Sequence, residues 1–181
     1  MSHCVYLGFG SNLNNPLNQI ITAISELNDS EKIVVNAVSN IYKSKPLDVN
    51  TLEVNTENIE DKQDDYINAV VNIETQLTPI ELLDILQALE LKHNRIKEYR
   101  WGPRSLDVDI LLYDDDVIDT ERLTIPHVGL ISRNFVLYPL NDINPLLIIP
   151  KHGALKNLLA KVNEENLMSL GKYLEMKDLE R

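Results

Sequence analysis

The chain alternates between segments with the apolar period of strands and segments with the apolar period of helices. Short β-branched and apolar runs predict strands at residues 4–10, 33–43, 66–75 and 106–113. Apolar positions spaced by three and four predict a helix over residues 16–28 and another from Pro79 to about Ile96. The order of these predicted elements is therefore βαββαβ.

This order describes two βαβ units side by side. Such a pair favours an α+β domain with a ferredoxin-like core, in which helices on one face cover a mostly antiparallel sheet. We also expect a helix over residues 132–140. A helical tail is expected over residues 151–181, with a buried face formed by Leu155, Leu158, Leu159, Val162 and Leu167. No second domain boundary is visible, so residues 1–181 are expected to form a single domain.

One segment departs from this periodicity. Residues 48–65 contain seven acidic residues and one lysine with little apolar content, which predicts a long solvated loop.

The overall composition limits the classes of partner. Of 181 residues, 44% are hydrophobic and 25% are charged, which is typical of a globular protein. Seventeen Lys and Arg against 28 Asp and Glu give a net charge of −11. This negative charge argues against nucleic acid and membranes as partners, and we expect the ligands to be small molecules. One cysteine, no signal-peptide pattern and no long apolar run favour a cytoplasmic protein, and we expect a monomer.

A pair of carboxylates in the strand predicted at residues 106–113 is the first candidate for chemistry. Because side chains alternate between faces, Asp107 and Asp109 point the same way, with β-carbons about 6.5–7 Å apart. Paired carboxylates suit Mg²⁺ beside a phosphate substrate. An ordinary solvent-facing strand edge would show the same alternation, so the pair alone does not decide between the two.

The residues before this pair are basic. Five of the 17 basic residues stand close together, with one acid among them: Lys92, Arg95, Lys97, Arg100 and Arg104. In an acidic protein, such a cluster indicates a polyphosphate site, because arginine grips phosphate with two hydrogen bonds. The alternative is a helix C-terminus whose cations oppose the helix dipole, which leaves Arg100 and Arg104 unexplained. His127 and Arg133 are weaker candidates for phosphate contacts.

Other residues suggest a site for a flat heterocycle. Tyr66 and Phe135 could stack on a ring, although aromatic residues more often belong to the core. Asn68 shares the face of Tyr66 and offers the donor and acceptor that the edge of a pterin or purine requires. Gly8 and Gly10 form a Gly-x-Gly pattern without a third glycine, so we reject a dinucleotide-binding fold.

Several segments, in order, resemble the 6-hydroxymethyl-7,8-dihydropterin pyrophosphokinase family. They cover roughly residues 4–150 and lie at residues 7–13, 39–47, 65–69, 86–96, 100–111, 121–127 and 133–145. The resemblance implies transfer of a diphosphate group from ATP to the hydroxymethyl group of a reduced pterin, with release of AMP, in folate biosynthesis.

The resemblance also implies a role for each matching residue. Asp107 and Asp109 would bind two Mg²⁺ ions, and Arg100 and Arg104 would act on the transferred group. The ATP site would comprise Gln87, Glu90, Arg95, Lys97, Ile110, Arg122, Leu123, Thr124, His127 and Arg133. The pterin site would comprise Ser44, Pro46, Leu47, Tyr66, Asn68 and Phe135.

The chain departs from the family pattern at three positions: Lys45 stands at a frequent proline, Lys97 at a frequent arginine and Val128 at a frequent aromatic residue. Two other functions remain open on the residues alone. A ferredoxin-like regulatory module would bind a nucleotide without turnover, and an ordinary kinase would release ADP.

Overall fold

The structure is a computed structural model that describes residues 1–46, 63–94 and 103–175. The strands are β1 (His3–Ser11), β2 (Ile33–Val38), β3 (Asn40–Ser44), β4 (Tyr66–Thr75), β5 (Asp107–Tyr113), β6 (Ile118–Asp119), β7 (Thr124–Ile125), β8 (Ile148–Ile149), β9 (Gly153–Ala154) and β10 (Leu167–Lys172). The helices are α1 (Pro16–Asn28), α2 (Pro79–Lys92), α3 (Asn134–Ile143) and α4 (Leu155–Leu159), with a 3₁₀ turn at Leu130–Ser132.

One antiparallel sheet organises the chain. Its strands follow the order β10-β3-β4-β1-β5, and β2 also pairs with β4. β1 lies between β4 and β5 and is antiparallel to both. Two interleaved βαβ units produce this order, so the predicted ferredoxin-like core is confirmed.

Helices α1 and α2 cover one face of the sheet. The apolar stripe of α1, which includes Ile20 and Ile24, joins one core cluster with Leu82 and Leu86 of α2. The start of α2 is fixed by a capping box, in which Thr78 and Glu81 each accept a backbone N–H from the other. Among the residues described, no helix combines the length and apolarity that crossing a bilayer requires.

Helices cover the second face of the sheet as well, which the predicted core by itself did not include. Helices α3 and α4 pack on the second face, where Leu137 and Leu155 form another core cluster with Tyr6 and Val70. Apolar side chains project from both faces of the central strands, and each face therefore needs its own cover. The part of the second face that α3 leaves open is a pocket.

The single strand predicted over residues 33–43 is divided at Ser39. Both parts, β2 and β3, pair with β4. The Ser39 hydroxyl accepts the N–H of Val70 at 2.9 Å and donates to the carbonyl of Asn40 at 2.7 Å. Side-chain bonds of this kind compete with regular strand pairing, and they explain why the strand breaks here.

The C-terminal segment, predicted as a helical tail, is mixed. Leu155–Leu159 forms the short helix α4, but Leu167–Lys172 forms the edge strand β10, paired with β3. A helix over the whole tail is therefore the wrong expectation. Pairing with a strand more than a hundred residues earlier supplies hydrogen bonds that local periodicity does not reveal.

Candidate active site

A pocket of about 290 Å³ occupies the open part of the second sheet face. Strands β1, β3, β4 and β5, helix α3 and the segment between β7 and α3 contribute to it. The pocket contains ten of the predicted site residues: Ser44, Pro46, Tyr66, Asn68, Arg104, Asp107, Asp109, His127, Arg133 and Phe135. The fold thus gathers the predicted metal ligands, several phosphate-binding candidates and the pterin-binding candidates in one concavity.

Two glycines of β1 form part of the floor of this pocket. Gly8 lies opposite Asp109 of β5, and Gly10 lies opposite Asp107. On the other side of β1, Gly10 lies opposite Asn68 of β4. Two glycines spaced by two remove side chains from one face of a strand, so the central strand leaves open space between the acidic and amide groups.

The Gly-x-Gly pattern does not predict a dinucleotide-binding fold, and the role of these glycines in shaping the pocket was not predicted from the sequence. A β-carbon at Gly8 would lie 3.2 Å from Cδ2 of Leu111, which is a tight contact. The sequence does contain an indication of this role, because a Gly-x-Gly pair inside a predicted strand indicates that another group approaches the backbone closely from one face.

Asp107 and Asp109 both face the pocket, as their alternation predicts. Val108 and Ile110 point to the helix side and are only 4% and 2% exposed. The alternation ends at a bulge in β5, since Tyr6 pairs with Leu112 and Leu7 pairs with Ile110. The extra residue is Leu111, which contributes an apolar surface to the pocket.

Arg104 forms an ion pair with Asp107 at the edge of the pocket. Asn12 anchors the backbone of this arginine: its side-chain oxygen accepts the N–H of Arg104 at 2.7 Å, and its own N–H donates to the Arg104 carbonyl at 3.0 Å. Burial opposes the charge of the guanidinium, but the carboxylate of Asp107 together with Tyr66 and Asp109 outweighs burial, and the pKa of Arg104 is raised. Arg104 is therefore a fixed cation beside the acidic pair.

The environment of Asp109 disfavours the ionised form of its carboxyl group. Burial, followed by the charge of Asp107, raises the pKa of Asp109, while His127 and Arg133 act in the opposite direction. The pocket walls surround this carboxylate although 41% of its side-chain surface is exposed through the mouth. Because the negative charge of Asp109 is unfavourable beside Asp107, a cation between the two carboxylates would be stabilised.

His127 is held beside Asp109 by two hydrogen bonds. Its backbone N–H donates to the carbonyl of Leu111 at 3.0 Å, and its Nδ1 accepts the N–H of Gly129 at 3.1 Å. Because Nδ1 accepts, the ring proton of the neutral imidazole lies on Nε2. Nε2 is 3.7 Å from Oδ2 of Asp109 and can donate to an anion that enters the pocket.

The opposite end of the pocket can bind a flat polar ring. The amide of Asn68, which is 5% exposed, donates to the hydroxyl of Ser44 at 2.9 Å. This bond fixes the orientation of the amide and leaves its oxygen on the side of Gly10. Tyr66 and Phe135 also line the pocket, and the guanidinium carbon of Arg133 is 5.8 Å from the centre of the Phe135 ring.

The acidic pair fits Mg²⁺ in the presence of a phosphate substrate. Within residues 1–46, 63–94 and 103–175, no group of three or more His, Cys, Asp or Glu side chains could hold a metal ion by itself. Magnesium sites commonly use one or two carboxylates and complete their shell with substrate phosphates and water. The donor set of Asp107 and Asp109 matches this type.

Six predicted ATP-site residues do not line the pocket: Gln87, Glu90, Ile110, Arg122, Leu123 and Thr124. Ile110 and Leu123 are buried in the helix-side core. Arg122 donates to Asp84 of α2 at 2.6 Å, which ties the segment before β7 to this helix. Gln87 is exposed on α2, and Glu90 bonds to the backbone of β5. These residues belong to the region around α2 and β5, outside the pocket.

Four predicted site residues lie outside the described residues. They are Leu47, Arg95, Lys97 and Arg100. Most of the acidic segment at residues 48–65 lies outside them as well.

Comparisons with known proteins identify the family of this chain. Residues 6–145 match the family described as 7,8-dihydro-6-hydroxymethylpterin-pyrophosphokinase. The 2-amino-4-hydroxy-6-hydroxymethyldihydropteridine pyrophosphokinase of Haemophilus influenzae is 38% identical over 165 residues, which cover 91% of this chain and 96% of the relative. The corresponding protein of Pseudomonas aeruginosa is 39% identical over 166 residues, 92% of this chain and 96% of the relative.

A solved structure shows the same fold. The crystal structure of wild-type Plasmodium falciparum HPPK-DHPS has a TM-score of 0.68 and 16% sequence identity, covering 93% of this chain and 48% of that one. The present chain thus spans about half the length of that protein. From the family match and the two bacterial relatives, the chain belongs to the 7,8-dihydro-6-hydroxymethylpterin-pyrophosphokinase family.

Proposed function

We propose that this protein transfers the diphosphate group of ATP to the hydroxymethyl group of 6-hydroxymethyl-7,8-dihydropterin and releases AMP, a step of folate biosynthesis. The observation that carries the proposal is the common pocket of Asp107, Asp109 and Asn68. Carboxylates that suit a metal–phosphate complex lie at one end, and a buried amide that suits a heterocycle lies at the other. Family membership supports the same reaction.

Asp107 and Asp109 would hold two Mg²⁺ ions in this reaction. When bound, Mg²⁺ neutralises phosphate charge and lowers the pKa of a coordinated hydroxyl, so a separate general base is not required. The chain contributes the spacing of the two carboxylates on one face of β5. It also contributes the open floor at Gly8 and Gly10, which lets both reactants approach that face.

Arg104, His127 and Arg133 would bind the phosphate oxygens. All three line the same pocket as the two aspartates. Fixed cations and a fixed N–H donor stabilise charge that develops during transfer, because they need little reorganisation when the reaction occurs. Arg95, Lys97 and Arg100, in the basic segment before β5, are proposed to complete this set.

The pterin would occupy the end of the pocket at Asn68. The Asn68 amide and the Ser44 region would form hydrogen bonds with the edge of the pterin ring. Pro46 and Leu47 would contribute to the same part of the site. Tyr66 and Phe135 would stack on its faces. Rigid placement of the hydroxymethyl group opposite the carboxylate pair supplies the proximity that the reaction needs.

The adenine and ribose would lie toward α2 and the segment before β7. The resemblance assigns Ile110, Arg122, Leu123 and Thr124 to this half, and it assigns Gln87 and Glu90 to the nucleotide and diphosphate site. The ion pair between Arg122 and Asp84 supports one shared region, since it joins the segment that carries Arg122, Leu123 and Thr124 to α2. From there the triphosphate would extend past the edge strand β5 toward the pocket.

Product analysis tests the proposal directly. The purified chain is incubated with ATP, Mg²⁺ and 6-hydroxymethyl-7,8-dihydropterin, and the nucleotides and pterins are separated. We expect equal amounts of AMP and diphosphorylated pterin. Reactions without pterin, and with the Asp109→Ala variant, serve as controls that should form neither product.

Two results would contradict this function. ADP with a monophosphorylated pterin would identify an ordinary kinase that uses the same site. Tight ATP binding with no turnover would identify a nucleotide-binding regulatory module. Light scattering on the same sample tests the expected monomer.

A further inference from the structure

Glu90 is a buried carboxylate near the C-terminal end of α2, and it does not line the pocket. Only 5% of the surface of Glu90 is exposed. One of its oxygens, Oε1, accepts the backbone N–H of Val108 at 2.8 Å. A buried carboxylate bonded to a backbone amide is a strong, charge-assisted contact.

The position of this bond in the sheet is informative. β5 is the last strand in the order β10-β3-β4-β1-β5, so one side pairs with β1 and the other side is an edge. Leu86 and Leu89 of α2 share a core cluster with Val108. Their packing holds the helix against β5, and Glu90, one residue after Leu89, satisfies an edge amide that no other strand among the described residues pairs.

The amide that Glu90 binds stands between the two carboxylates. The nitrogen of Val108 belongs to the peptide bond that follows Asp107, and Asp109 is the next residue. A rotation of this peptide would change the directions of both acidic side chains, because side-chain directions in a strand follow the backbone. Metal and phosphate sites require their ligands within about 0.5 Å of the productive geometry.

We propose that Glu90 is a positioning residue for the carboxylate pair: it fixes the Asp107–Val108 peptide and thereby the joint orientation of Asp107 and Asp109. The inference rests on the proposed function, because it assigns Glu90 to the metal-binding strand. It differs from the role that the resemblance implies, a direct contact with the nucleotide.

Three variants separate these roles. Glu90→Ala removes the acceptor, Glu90→Gln keeps an acceptor oxygen without the charge, and Leu91→Ala changes the exposed neighbour on the same helix as a control. The measurements are kcat, the KM values for ATP and pterin, and Mn²⁺ binding by electron paramagnetic resonance in the presence of a non-hydrolysable ATP analogue.

We expect Glu90→Ala to lower kcat and weaken Mn²⁺ binding about 10- to 100-fold, the usual effect of removing a residue that orients a metal ligand. Both KM values should stay within about threefold of the wild type because Glu90 would touch neither substrate. Glu90→Gln should recover most of both losses, and Leu91→Ala should match the wild type. If Glu90→Ala does not fold, Glu90→Asp replaces it, since the shorter acid withdraws the acceptor from Val108.

Other outcomes would overturn the inference. A rise in the KM for ATP as the main effect would make Glu90 a nucleotide contact. A lower melting temperature with unchanged kcat and Mn²⁺ binding would make it a structural residue only. Failure of the wild-type protein to form AMP would instead contradict the proposed function, so the two failures are distinguishable.

Discussion

Arg104 donates to the carboxylate of Asp107, three positions further along the chain, across the mouth of the candidate metal site. The arginine thus neutralises one of the two acidic groups that a metal ion would use. Since a metal ion and the guanidinium compete for the negative charge of the same carboxylate, the ion pair weakens metal binding at Asp107. A phosphate group that binds Arg104 would release Asp107, which couples nucleotide binding to metal binding.

This coupling predicts that one substitution of Arg104 lowers kcat but strengthens metal binding. Arg104→Ala should lower kcat about 100-fold or more, as for a lost donor to developing charge. In the absence of nucleotide, the same variant should bind Mn²⁺ more tightly than the wild type, because Asp107 has lost its competing partner. Kinetics and Mn²⁺ titration check the two parts, and weaker Mn²⁺ binding by the variant would contradict the competition.

Replacing either aspartate tests the metal ligands. Asp107→Ala and Asp109→Ala should abolish turnover while the protein stays folded. Asp107 contributes to the raised pKa of Asp109, so removing one charge relieves repulsion between the two groups. The melting temperature without metal should be unchanged or higher for Asp109→Ala, whereas Asp107→Ala also loses the ion pair with Arg104 and should show no gain. Normal activity of either variant at saturating Mg²⁺ would exclude the two-metal assignment.

Phe135 tests the pterin end of the pocket. Phe135→Ala should weaken pterin binding by about 1–3 kcal/mol, the value of one stacking contact, and leave ATP binding unchanged. Phe135→Leu, which keeps apolar bulk without a ring, should show an intermediate loss. Calorimetry with each ligand separates these effects, and a loss confined to ATP would move Phe135 to the nucleotide side.

The glycine floor predicts a graded effect of side-chain size. Gly8→Val should weaken pterin or metal–nucleotide binding about tenfold or more, because its side chain would fill space beside Asp109 and Leu111. Gly8→Ala should have a smaller effect, since the flexible end of Leu111 can move by a few tenths of an ångström. Valine favours strands, so neither variant should lower the melting temperature greatly. Wild-type affinities in Gly8→Val would exclude this role.

Tyr42 gives a prediction for alkaline pH. Its hydroxyl donates to Oδ2 of Asp142 at 2.9 Å, which links β3 to α3 across the second sheet face. Burial, followed by this bond, raises the pKa of Tyr42 from 10.0 to about 12. The neutral phenol therefore stabilises the fold fully below pH 10, and this contribution is lost as the pH rises toward 12.

Tyr42→Phe should lower the free energy of unfolding at pH 8 by about 1 kcal/mol, the usual net value of one hydrogen bond. Between pH 10 and pH 12 the variant should lose less stability than the wild type. Urea denaturation at pH 8 and pH 11 measures both, and an equal alkaline loss in the two proteins would mean that Tyr42 does not contribute.

Local sequence patterns correctly predicted features that lie within a single strand or helix. The alternation around Asp107 and Asp109 fixed their shared face, because apolar Val108 and Ile110 must enter the core. Thr78 and Glu81 likewise predict the start of α2, where both side chains cap the helix within one turn. The βαββαβ order was also enough to identify the ferredoxin-like core.

Contacts between distant segments required the tertiary structure. The break at Ser39 depends on Val70 of the neighbouring strand, and β10 exists because β3 offers it an edge. The resemblance named Glu90, but only the fold shows that its carboxylate binds the amide of Val108, 18 residues away.

Features predicted from the sequence depend on neighbouring residues, and features seen only in the structure depend on contacts between residues distant in the chain. Which side chains share a face follows from the sequence alone, since the period of a strand or helix is a local property of the backbone. Which faces meet depends on the folded chain, because strand pairing and core packing join residues far apart in the sequence. Asp107 and Gly10 illustrate both: each position could be interpreted locally, but only their pairing across two strands forms a pocket.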